Sequence, residues 1–403
     1  MPVTTDMSPA YARRAAHFRP SPVRAVWDVS MRAGMISLAG GNPDLAGLPL
    51  DELGDLARRL VAEHGTDALQ YGSGGGVEAL KHELVELMRP AGIGASVDDV
   101  LVTAGSQMAL QLVTTLLCDP GDVVLAEGPT YVGAINVFEG LEASVVHVGS
   151  DADGLVPEAL ESSIAAVRAQ GRTIKFLYTI PNYSNPSGVV TSRERRERVL
   201  AICRDAGILV VEDDPYGRLG FDGAVMPALR SMDESVVYLG SMSKIFSPGI
   251  RIGWVVAPAE LRLRLQIAAE TATIHPSVFS QHLALAYLRH TDWQAGLRAS
   301  IGRYEERART LVAALERELP DGCRWTVPQG GFFTWVTLPA GVSAQRLFDA
   351  AVDEGVAFVT GTAFYAGGRG GDGELRLSFS LETPERIDEG VRRLAAALRR
   401  VMA

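Results

Sequence analysis

Cysteine, basic residues and long apolar runs are scarce in this chain, and each scarcity excludes a class of protein. The three cysteines in 403 residues, Cys118, Cys203 and Cys323, are far apart and form no CxxC pair. A disulfide framework or structural zinc site is therefore not expected, and a reducing compartment fits better. Lys and Arg number 38 against 48 Asp and Glu, a net charge of −10. This balance argues against nucleic acid as a partner, because phosphate neutralisation needs a basic surface.

Apolar runs stay below the roughly 18–20 residues that span a bilayer, so a membrane is not an expected partner either. The first residues carry arginines but no apolar core, unlike a secretory signal. The seven histidines show no metal-ligand spacing, and there is no GxSxG motif. We therefore expect a cytoplasmic protein without a metal site.

Short apolar, β-branched runs alternate with helical stretches between about residues 99 and 256. Near-continuous apolar runs are typical of strands buried on both faces. Strands that alternate with helices predict a doubly wound α/β domain, whose ligands bind at the carboxyl ends of the strands. The seven runs are DVLVT, DVVLAE, ASVVHV, TIKFLYT, GILVVED, SVVYLGS and IRIGWVV.

The pattern changes after about residue 290. A charged helix at about 292–319 precedes a glycine-turned hairpin in RWTVPQGGFFTWVTL. A helix near 343–354 and the strands VAFVTG and ELRLSFS follow, and a last helix begins with Thr383 as N-cap and Pro384 in its first turn. These elements predict a smaller α/β domain. The expected division is an N-terminal arm at 1–45, a large domain at 46–290 and a small domain at 291–403.

Two motifs place polar residues just beyond predicted strands. In VTAGSQMAL, Gly105, Ser106 and Gln107 open an apolar helix whose exposed N–H groups and dipole favour an anion. In FLYTIPNYSNPSGVV, a stiff turn can aim the amide of Asn185 at a fixed point. A simple βα turn and a loop of turn-forming residues are the alternatives.

A third motif, ILVVEDDPYGRL, ends an apolar strand with Glu212, Asp213 and Asp214. A carboxylate at the carboxyl end of a central strand is desolvated unless it has a cationic partner. Helix capping is the more frequent role of such a cluster when it occurs alone. The motif therefore indicates either a cap or a ligand-facing carboxylate.

The fourth motif, GSMSKIFSPGIRIGW, contains Ser241, Ser243, Lys244 and Arg251 without an acidic neighbour. Arginine and hydroxyl donors suit a phosphate, and a lysine in a poorly solvated pocket loses pKa and becomes a nucleophile or base. Two unrelated cations on a loop are the alternative. Together the four motifs supply an anion cup, an aimed amide, a carboxylate and an amine, a set that pyridoxal phosphate needs.

These motifs resemble the class I and II aminotransferases, which are fold-type I pyridoxal-phosphate enzymes. The similarity is greatest to the branch of 2-aminoadipate and kynurenine aminotransferases. It runs from about Pro20 to the C-terminus and depends on SMSKIFSPGIRIGW, EDDPY, NPSG and LRLSFS. The resemblance implies a mainly parallel seven-stranded sheet with helices on both faces and a smaller α/β domain. It also implies a homodimer with shared active sites.

The resemblance further implies transfer of an amino group from an L-amino acid to a 2-oxo acid by a ping-pong mechanism through aldimine and pyridoxamine phosphate forms. Lys244 would form the internal aldimine and move the substrate α-proton, Asp213 would keep the pyridine nitrogen protonated, and Tyr131 would stack on the ring. The remaining cofactor contacts would be Tyr216 and Asn185 at the ring oxygen, then Ser106, Gln107, Ser241, Ser243 and Arg251 at the phosphate. Tyr71 would reach the phosphate bound by the partner subunit.

For the substrate, the resemblance implies that Arg376 in ELRLSFS grips the α-carboxylate through a bidentate pair, with Asn185 and Gly41 nearby. Arg24 occupies a position that can meet a distal carboxylate or aromatic ring of the substrate. A structural ion pair is the alternative for Arg24. The family commonly has an apolar residue where Asn42 follows the Gly-Gly pair, which weakens direct transfer of aminoadipate specificity.

Two other functions remain open at this point. Another pyridoxal-phosphate reaction on an amino acid, such as β-elimination, decarboxylation or oxidation, would use the same lysine and aspartate. Some transcription regulators carry such a domain as a ligand sensor behind a helix-turn-helix. Only about forty residues precede the Gly-Gly pair, which is short for that module, and the charge is unfavourable. We therefore expect an enzyme.

Overall fold

One large sheet organises the described part of the chain, which is residues 10–403 of a computed structural model. The first nine residues of the predicted arm lie outside the described residues. Numbered along the chain, the strands are β1 (Ile36–Ser37), β2 (Val100–Thr103), β3 (Val123–Gly128), β4 (Ser144–Asp151), β5 (Gly154–Leu155), β6 (Ile174–Thr179), β7 (Leu209–Asp213), β8 (Val237–Ser241), β9 (Gly253–Val256), β10 (Arg324–Trp325), β11 (Phe333–Thr337), β12 (Val356–Ala357), β13 (Val359–Thr360) and β14 (Glu374–Ser378). The helices are α1 (Pro22–Ser30), α2 (Leu50–Ala68), α3 (Glu78–Met88), α4 (Ser106–Leu117), α5 (Val132–Gly140), α6 (Pro157–Ala169), α7 (Arg193–Asp205), α8 (Leu229–Met232), α9 (Ala259–Thr273), α10 (Val278–His290), α11 (Trp293–Glu318), α12 (Ala344–Asp353) and α13 (Pro384–Met402).

The large sheet has the strand order β2-β9-β8-β7-β6-β3-β4-β5. Neighbours from β8 to β4 pair in parallel, whereas β9 is antiparallel to both β2 and β8. The seven strands predicted from the apolar runs are therefore confirmed, in a mainly parallel sheet. The eighth strand, β5, is a two-residue antiparallel partner of β4. It is too short to leave an apolar run in the sequence.

Both faces of this sheet are covered by helices, as the apolar runs require. Val124 and Ala126 of β3 enter one apolar core together with side chains of α4 and α5. Val123 and Leu125 of the same strand enter a second core together with side chains of α6 and α7. Successive residues of a strand point to opposite faces, so two covered faces need an apolar residue at nearly every position.

The C-terminal part forms its own four-stranded antiparallel sheet in the order β10-β11-β14-β13. The pair β10–β11 is the hairpin predicted in RWTVPQGGFFTWVTL. The run VAFVTG, predicted as one strand, divides at Phe358 into β12, which pairs in parallel with β1, and β13, which pairs with β14. Through β1 the segment that precedes the large sheet is therefore attached to the C-terminal part.

The helices of the C-terminal part also agree with the predicted positions. The long charged helix is α11, and α13 packs against it. In α13 the Thr383 hydroxyl accepts a hydrogen bond from the Arg386 N–H at 3.4 Å, and Pro384 is the first helical residue. Within residues 10–403, no helix combines the length and apolar character needed to cross a bilayer.

Candidate active site

A cavity of about 440 Å³ opens beyond the carboxyl ends of β6, β7 and β8, between the large sheet and the C-terminal part. Residues of all four motifs line this cavity, although the motifs lie far apart in the sequence. The predicted site residues that line it are Gly41, Ser106, Gln107, Tyr131, Asn185, Asp213, Tyr216, Ser241, Ser243, Lys244, Arg251 and Arg376. Arg24 and Tyr71 lie outside it.

Lys244 lies in the loop after β8, and its amine is held inside this cavity. The Lys244 Nζ donates a hydrogen bond to the Gly41 carbonyl at 2.8 Å. It lies 5.4 Å from the centre of the Phe332 ring and 5.9 Å from that of Tyr216. Burial, together with the charges of Arg376 and Arg251, lowers the pKa of Lys244 to about 8. Roughly a tenth of the amine is therefore unprotonated at pH 7, far more than for an ordinary lysine, and the unprotonated form is the one that acts as a nucleophile or base.

Asp213 is the last residue of β7, and its carboxylate is buried beside the cavity. One oxygen, Oδ2, accepts a hydrogen bond from the Tyr178 hydroxyl at 2.8 Å. The other, Oδ1, is buried and has no hydrogen-bond partner within residues 10–403. Burial raises the pKa of Asp213 to about 7, and the charge of Asp214 adds to the rise, whereas the Tyr178 hydrogen bond opposes it. A buried carboxylate oxygen without a partner is suited to accept a hydrogen bond from a cationic or N–H group of a ligand.

Of the neighbouring carboxylates, Glu212 caps a helix, which was one of the two roles that the sequence allowed for this acidic cluster. Its two oxygens accept from the backbone N–H groups of Leu229 and Arg230, at 2.9 and 3.0 Å, at the start of α8. Asp214 accepts from the Asn182 amide at 2.9 Å. Among these three acidic residues, only Asp213 lines the cavity.

The N-terminus of α4 and the Arg251 guanidinium face the cavity from the same side. Gly105 precedes α4 with φ 86°, and a side chain at this position would overlap the Arg251 guanidinium, so the close approach requires glycine. The Arg251 Nη2 donates to the Ala104 carbonyl at 3.2 Å. Ser241 and Ser243 lie nearby and are joined by a hydroxyl hydrogen bond of 2.9 Å. Free helix N–H groups, hydroxyls and a guanidinium form an anion site.

Arg376 of β14 approaches the cavity from the opposite side and is almost fully buried. It donates to the Asn185 side-chain oxygen at 2.7 Å and to the Ala39 carbonyl at 2.6 Å. The centres of the Phe333 and Phe364 rings lie 4.1 and 4.9 Å from its guanidinium carbon. Burial lowers the pKa of Arg376 to about 10, which still leaves the group charged at neutral pH.

Three of the five Arg376 N–H donors have no partner among the described residues, because the two hydrogen bonds use only one donor on each Nη atom. The Nε atom is buried and has no partner among the described residues. A planar group with adjacent free donors matches a carboxylate.

Tyr131 and Tyr216 form aromatic parts of the wall. Tyr131 precedes α5, and its ring lies over Gly133, where any side chain would overlap it. Burial raises the pKa of both hydroxyls, so both stay protonated near neutral pH. The site therefore offers flat apolar surface beside donors and acceptors.

Arg24 and Tyr71 remain predictions without a place in the cavity. Arg24 is exposed on α1, although its neighbour Val23 and the preceding Ser21 line the cavity. Tyr71 is 75% exposed and packs edge-to-face against His275, with ring centres 5.5 Å apart. Neither arrangement tests the role that the resemblance implies.

Comparison with known proteins identifies the family of this chain. A family model described as "Aminotransferase class I and II" matches residues 33–394. Aromatic-amino-acid aminotransferase 1 of Thermococcus litoralis is 35% identical over 402 residues, 99% of this chain and 96% of that protein. The 2-aminoadipate transaminase of Thermus thermophilus is 37% identical over 401 residues, 98% of both chains.

The chain belongs to the class I and II aminotransferase family. It is an aminotransferase, and its cofactor is pyridoxal 5′-phosphate. The solved kynurenine aminotransferase of Pyrococcus horikoshii, a complex with PMP, KYN and KYA, superimposes with a TM-score of 0.93 at 34% identity and 99% coverage of both chains. The predicted family, fold, cofactor and enzyme class are confirmed, and these relatives favour transamination over the two alternatives.

The residues of this aminotransferase fit a phosphorylated pyridine aldehyde. Lys244, Arg251 and Arg376 are the cations among the described lining residues, against the single carboxylate of Asp213, so the cavity suits a dianionic phosphate and a substrate carboxylate. Asp213 Oδ1 is buried without a partner among the described residues, which suits an acceptor for a protonated ring nitrogen.

Sequence reasoning missed several residues at this aminotransferase site. Tyr178 holds Asp213, and Phe333 and Phe364 hold Arg376. A signal for Tyr178 exists, because a tyrosine inside an apolar strand must find a hydrogen-bond partner for its hydroxyl. The two phenylalanines carry no comparable signal, since core phenylalanines are common in any fold.

Proposed function

We propose that this aminotransferase takes its amino group from L-amino acids with a large, uncharged side chain, of which aromatic amino acids and kynurenine are examples. The observation that carries the proposal is the lining left over once cofactor and α-carboxylate contacts are assigned. Within the described residues this remaining lining is uncharged. It comprises Ser21, Val23, Asn42, Val132, Gly133, Asn136, Ile180, Pro215, Pro248 and Phe333. Such a surface suits an apolar side chain with a neutral polar group.

A second candidate donor is 2-aminoadipate, whose distal carboxylate would need a cation. Arg24 is the residue in question, because it lies on α1 beside Val23, which lines the cavity. The relative of Thermus thermophilus named 2-aminoadipate transaminase, at 37% identity, favours this candidate. A turn of α1 that brought Arg24 inward would be required, since its side chain is exposed.

We expect Arg24→Gln to distinguish the two donors. If the donors have uncharged side chains, kcat/KM for kynurenine and phenylalanine changes less than about twofold, because an exposed arginine contributes little. If 2-aminoadipate is the donor, its kcat/KM falls about tenfold or more through loss of a charge-assisted hydrogen bond. The measurement is a half-reaction with each amino acid, followed by the absorbance of the bound cofactor. A wild-type protein that reacts with 2-aminoadipate alone would contradict the leading proposal.

In the proposed mechanism the polar residues divide the tasks among them, and Lys244 has two. The cofactor, when bound, supplies an aldehyde for the amino group and a ring that accepts electrons from the substrate α-carbon. Lys244 Nζ would hold the cofactor and later take the proton from the substrate α-carbon. Asp213 Oδ1 would accept a hydrogen bond from the ring N–H. Arg376 and Asn185 orient the substrate carboxylate, which places the Cα–H bond toward Lys244.

The remaining contacts bind the cofactor. Ser106 and Gln107 at the start of α4, with Ser241, Ser243 and Arg251, would hold the phosphate. Tyr131 would cover the ring and Tyr216 would donate to the ring oxygen. The positive charge of the cavity supports this assignment, since Lys244, Arg251 and Arg376 all raise the affinity for anions.

We further propose a division into an arm (1–45), a large domain (46–290) and a small domain (291–403), which meet at the site. Ser21 and Val23 come from the arm, Lys244 from the large domain, and Phe333 and Arg376 from the small domain. A site at the junction of three segments supports closure on the substrate, which would exclude water from the reacting atoms.

We also propose that the protein is a homodimer with shared active sites. Two adjoining segments, which contact through Tyr71 and His275, expose large apolar side chains. These side chains are Leu69, Tyr71, Leu263, Ile267 and Ile274, all 49–75% exposed. Several large apolar side chains exposed on adjoining segments are typical of an interface.

Light scattering is expected to give twice the chain mass of 43.1 kDa. Ile267→Lys, which places a charge in the proposed interface, is expected to shift the protein toward monomer. Val327→Lys changes an apolar residue of the small domain that is 67% exposed, against 49% for Ile267, and is expected to leave the dimer intact. Mixed dimers of Lys244→Ala and Tyr71→Ala chains are then expected to regain activity that neither parent has. A monomeric wild type, or no regain, would contradict the dimer or the sharing.

A further inference from the structure

The buried hydroxyl of Tyr178 contacts the carboxylate at the bottom of the active site. Tyr178 lies on β6 and Asp213 on the adjacent β7, and the hydroxyl donates to Oδ2 at 2.8 Å. The tyrosine is fully buried and its ring packs edge-to-face against Phe138, with centres 5.5 Å apart. Asp213 is 5% exposed. Packing in the core therefore fixes this contact, since both side chains are shielded from solvent.

The other groups that face Asp213 do not hold its carboxylate. Asp214 follows it in the chain, and its negative charge disfavours a second ionised carboxylate. Tyr131 at the start of α5 and Tyr216 in the loop after β7 are close enough to sense its charge. Of the described residues, only Tyr178 donates a side-chain hydrogen bond to it. One oxygen is thus fixed, and the other, Oδ1, has no hydrogen-bond partner among the described residues.

We propose that Tyr178 is a positioning residue of this aminotransferase: its hydroxyl orients the Asp213 carboxylate toward the ring nitrogen of the cofactor and keeps that carboxylate ionised. The inference rests on the proposed role of Asp213. Without the hydroxyl, the carboxylate would rotate more freely and would bind a proton more readily. Both changes weaken the interaction with a protonated ring nitrogen.

Tyr238 provides a matched control on the other side of β7. It lies on β8, is 4% exposed, and its hydroxyl donates to Asp214 Oδ2 at 3.2 Å. Tyr178→Phe and Tyr238→Phe therefore each remove one buried phenolic hydroxyl. Each variant takes one hydrogen bond away from one of two consecutive carboxylates. Phenylalanine keeps the ring packing, so both variants are expected to fold.

Cofactor affinity is the first measurement. The apoprotein is titrated with pyridoxal 5′-phosphate, and binding is followed by absorbance and by quenching of tryptophan fluorescence. Tyr178→Phe is expected to raise the dissociation constant about tenfold, the effect of losing a hydrogen bond to a charged group. Tyr238→Phe is expected to raise it less than threefold. Equal losses in both variants, or no loss in Tyr178→Phe, would overturn the proposal.

The pH dependence of the affinity separates positioning from a general structural effect. The Tyr178 hydrogen bond lowers the pKa of Asp213, which burial raises to about 7. Removal of the bond raises that pKa further. As the pH is lowered, the Asp213 carboxylate therefore becomes protonated at a higher pH in Tyr178→Phe than in the wild type. The ratio of variant to wild-type dissociation constants is therefore expected to be larger at pH 6 than at pH 9. A ratio independent of pH would contradict the ionisation part of the proposal.

A double-mutant cycle with Asp213→Asn tests whether Tyr178 acts through Asp213. Asp213→Asn alone is expected to weaken cofactor binding more than Tyr178→Phe, and the second change is expected to add less than twofold. If Asp213→Asn bound the cofactor as the wild type does, the proposed role of Asp213 would fail, and the Tyr178 proposal with it. If Asp213→Asn weakened binding but Tyr178→Phe added its full effect to it, only the Tyr178 proposal would fail.

Discussion

Lys244→Ala is expected to lower turnover by about 10⁴-fold, the upper end of the loss typical of removing a positioned proton-transfer group. Among the described residues that line the cavity, Lys244 has the only amine. The neighbouring cations Arg251 and Arg376 are guanidinium groups, which do not give up a proton in proteins and so do not replace it. Activity is measured as release of the 2-oxo acid product from a reactive amino acid.

The same substitution is expected to leave the fold intact. The Lys244 amine makes one hydrogen bond, to the Gly41 carbonyl at 2.8 Å, and burial disfavours its charged form, as the lowered pKa shows. Alanine removes both the hydrogen bond and the unfavourable buried charge, and these effects oppose each other. The Tm measured by circular dichroism is therefore expected to stay within about 2–3 °C of wild type, equivalent to roughly 2 kcal/mol in a chain of this size.

The chain offers its own controls, because Lys81 and Lys175 are its other two lysines. Lys175 lies at the far end of β6 and pairs with Asp122 at 3.1 Å, so Lys175→Ala is expected to keep full activity. Borohydride reduction of the loaded protein, followed by peptide mass spectrometry, is expected to place the cofactor mass on the peptide with Lys244. Label on Lys81 or Lys175 instead, or near-normal activity of Lys244→Ala, would contradict the proposed mechanism.

The strands of the large sheet could be predicted because both of its faces are covered. A strand such as β3 sends Val124 to one core and Val123 to the other, and this leaves an apolar run that stands out in the sequence. The two-residue strand β5 leaves no such run. The division at Phe358 was also hidden, because VAFVTG looks continuous and the change of partner from β1 to β14 depends on distant segments.

The site could be predicted only in part for a similar reason. An apolar strand that ends in Glu212 and Asp213 shows that carboxylates lie at a strand end, but successive residues face opposite ways. Which of the two meets the cavity depends on α8, whose N–H groups bind Glu212. The resemblance to a family predicts a ligand role for Asp213, while the partner hydroxyl of Tyr178 became evident only in the packed sheet.

The role of Arg376 could likewise be predicted only in part from the sequence. Its position in ELRLSFS suggests a carboxylate ligand through the resemblance alone. The packing of the C-terminal sheet places Phe333 of β11 and Phe364 against its guanidinium, and Asn185 from the other side of the cavity accepts from Nη1. These contacts fix the plane of the guanidinium before a ligand arrives, which reduces the entropy cost of binding.

Arg376→Gln and Arg376→Lys are therefore both expected to lower kcat/KM about 10²–10³-fold, the effect of removing one partner from a buried charge pair. Lysine is not expected to rescue, because an ammonium group cannot form two parallel hydrogen bonds to a carboxylate or present a flat face to the neighbouring aromatic rings. The loss is expected chiefly in KM for the amino acid, and to a smaller extent in kcat, since a poorly oriented Cα–H bond reacts more slowly.

Cofactor binding separates this effect from damage to the site as a whole. Arg376 contacts Asn185 and the Ala39 carbonyl but none of the proposed phosphate-binding side chains. Titration of Arg376→Gln with pyridoxal 5′-phosphate is therefore expected to give a dissociation constant within about threefold of wild type. Arg346→Gln, an exposed arginine on α12, is the control and is expected to change neither quantity. If Arg376→Lys kept the wild-type KM, a bidentate grip on the substrate carboxylate would be contradicted, because a point charge would then suffice.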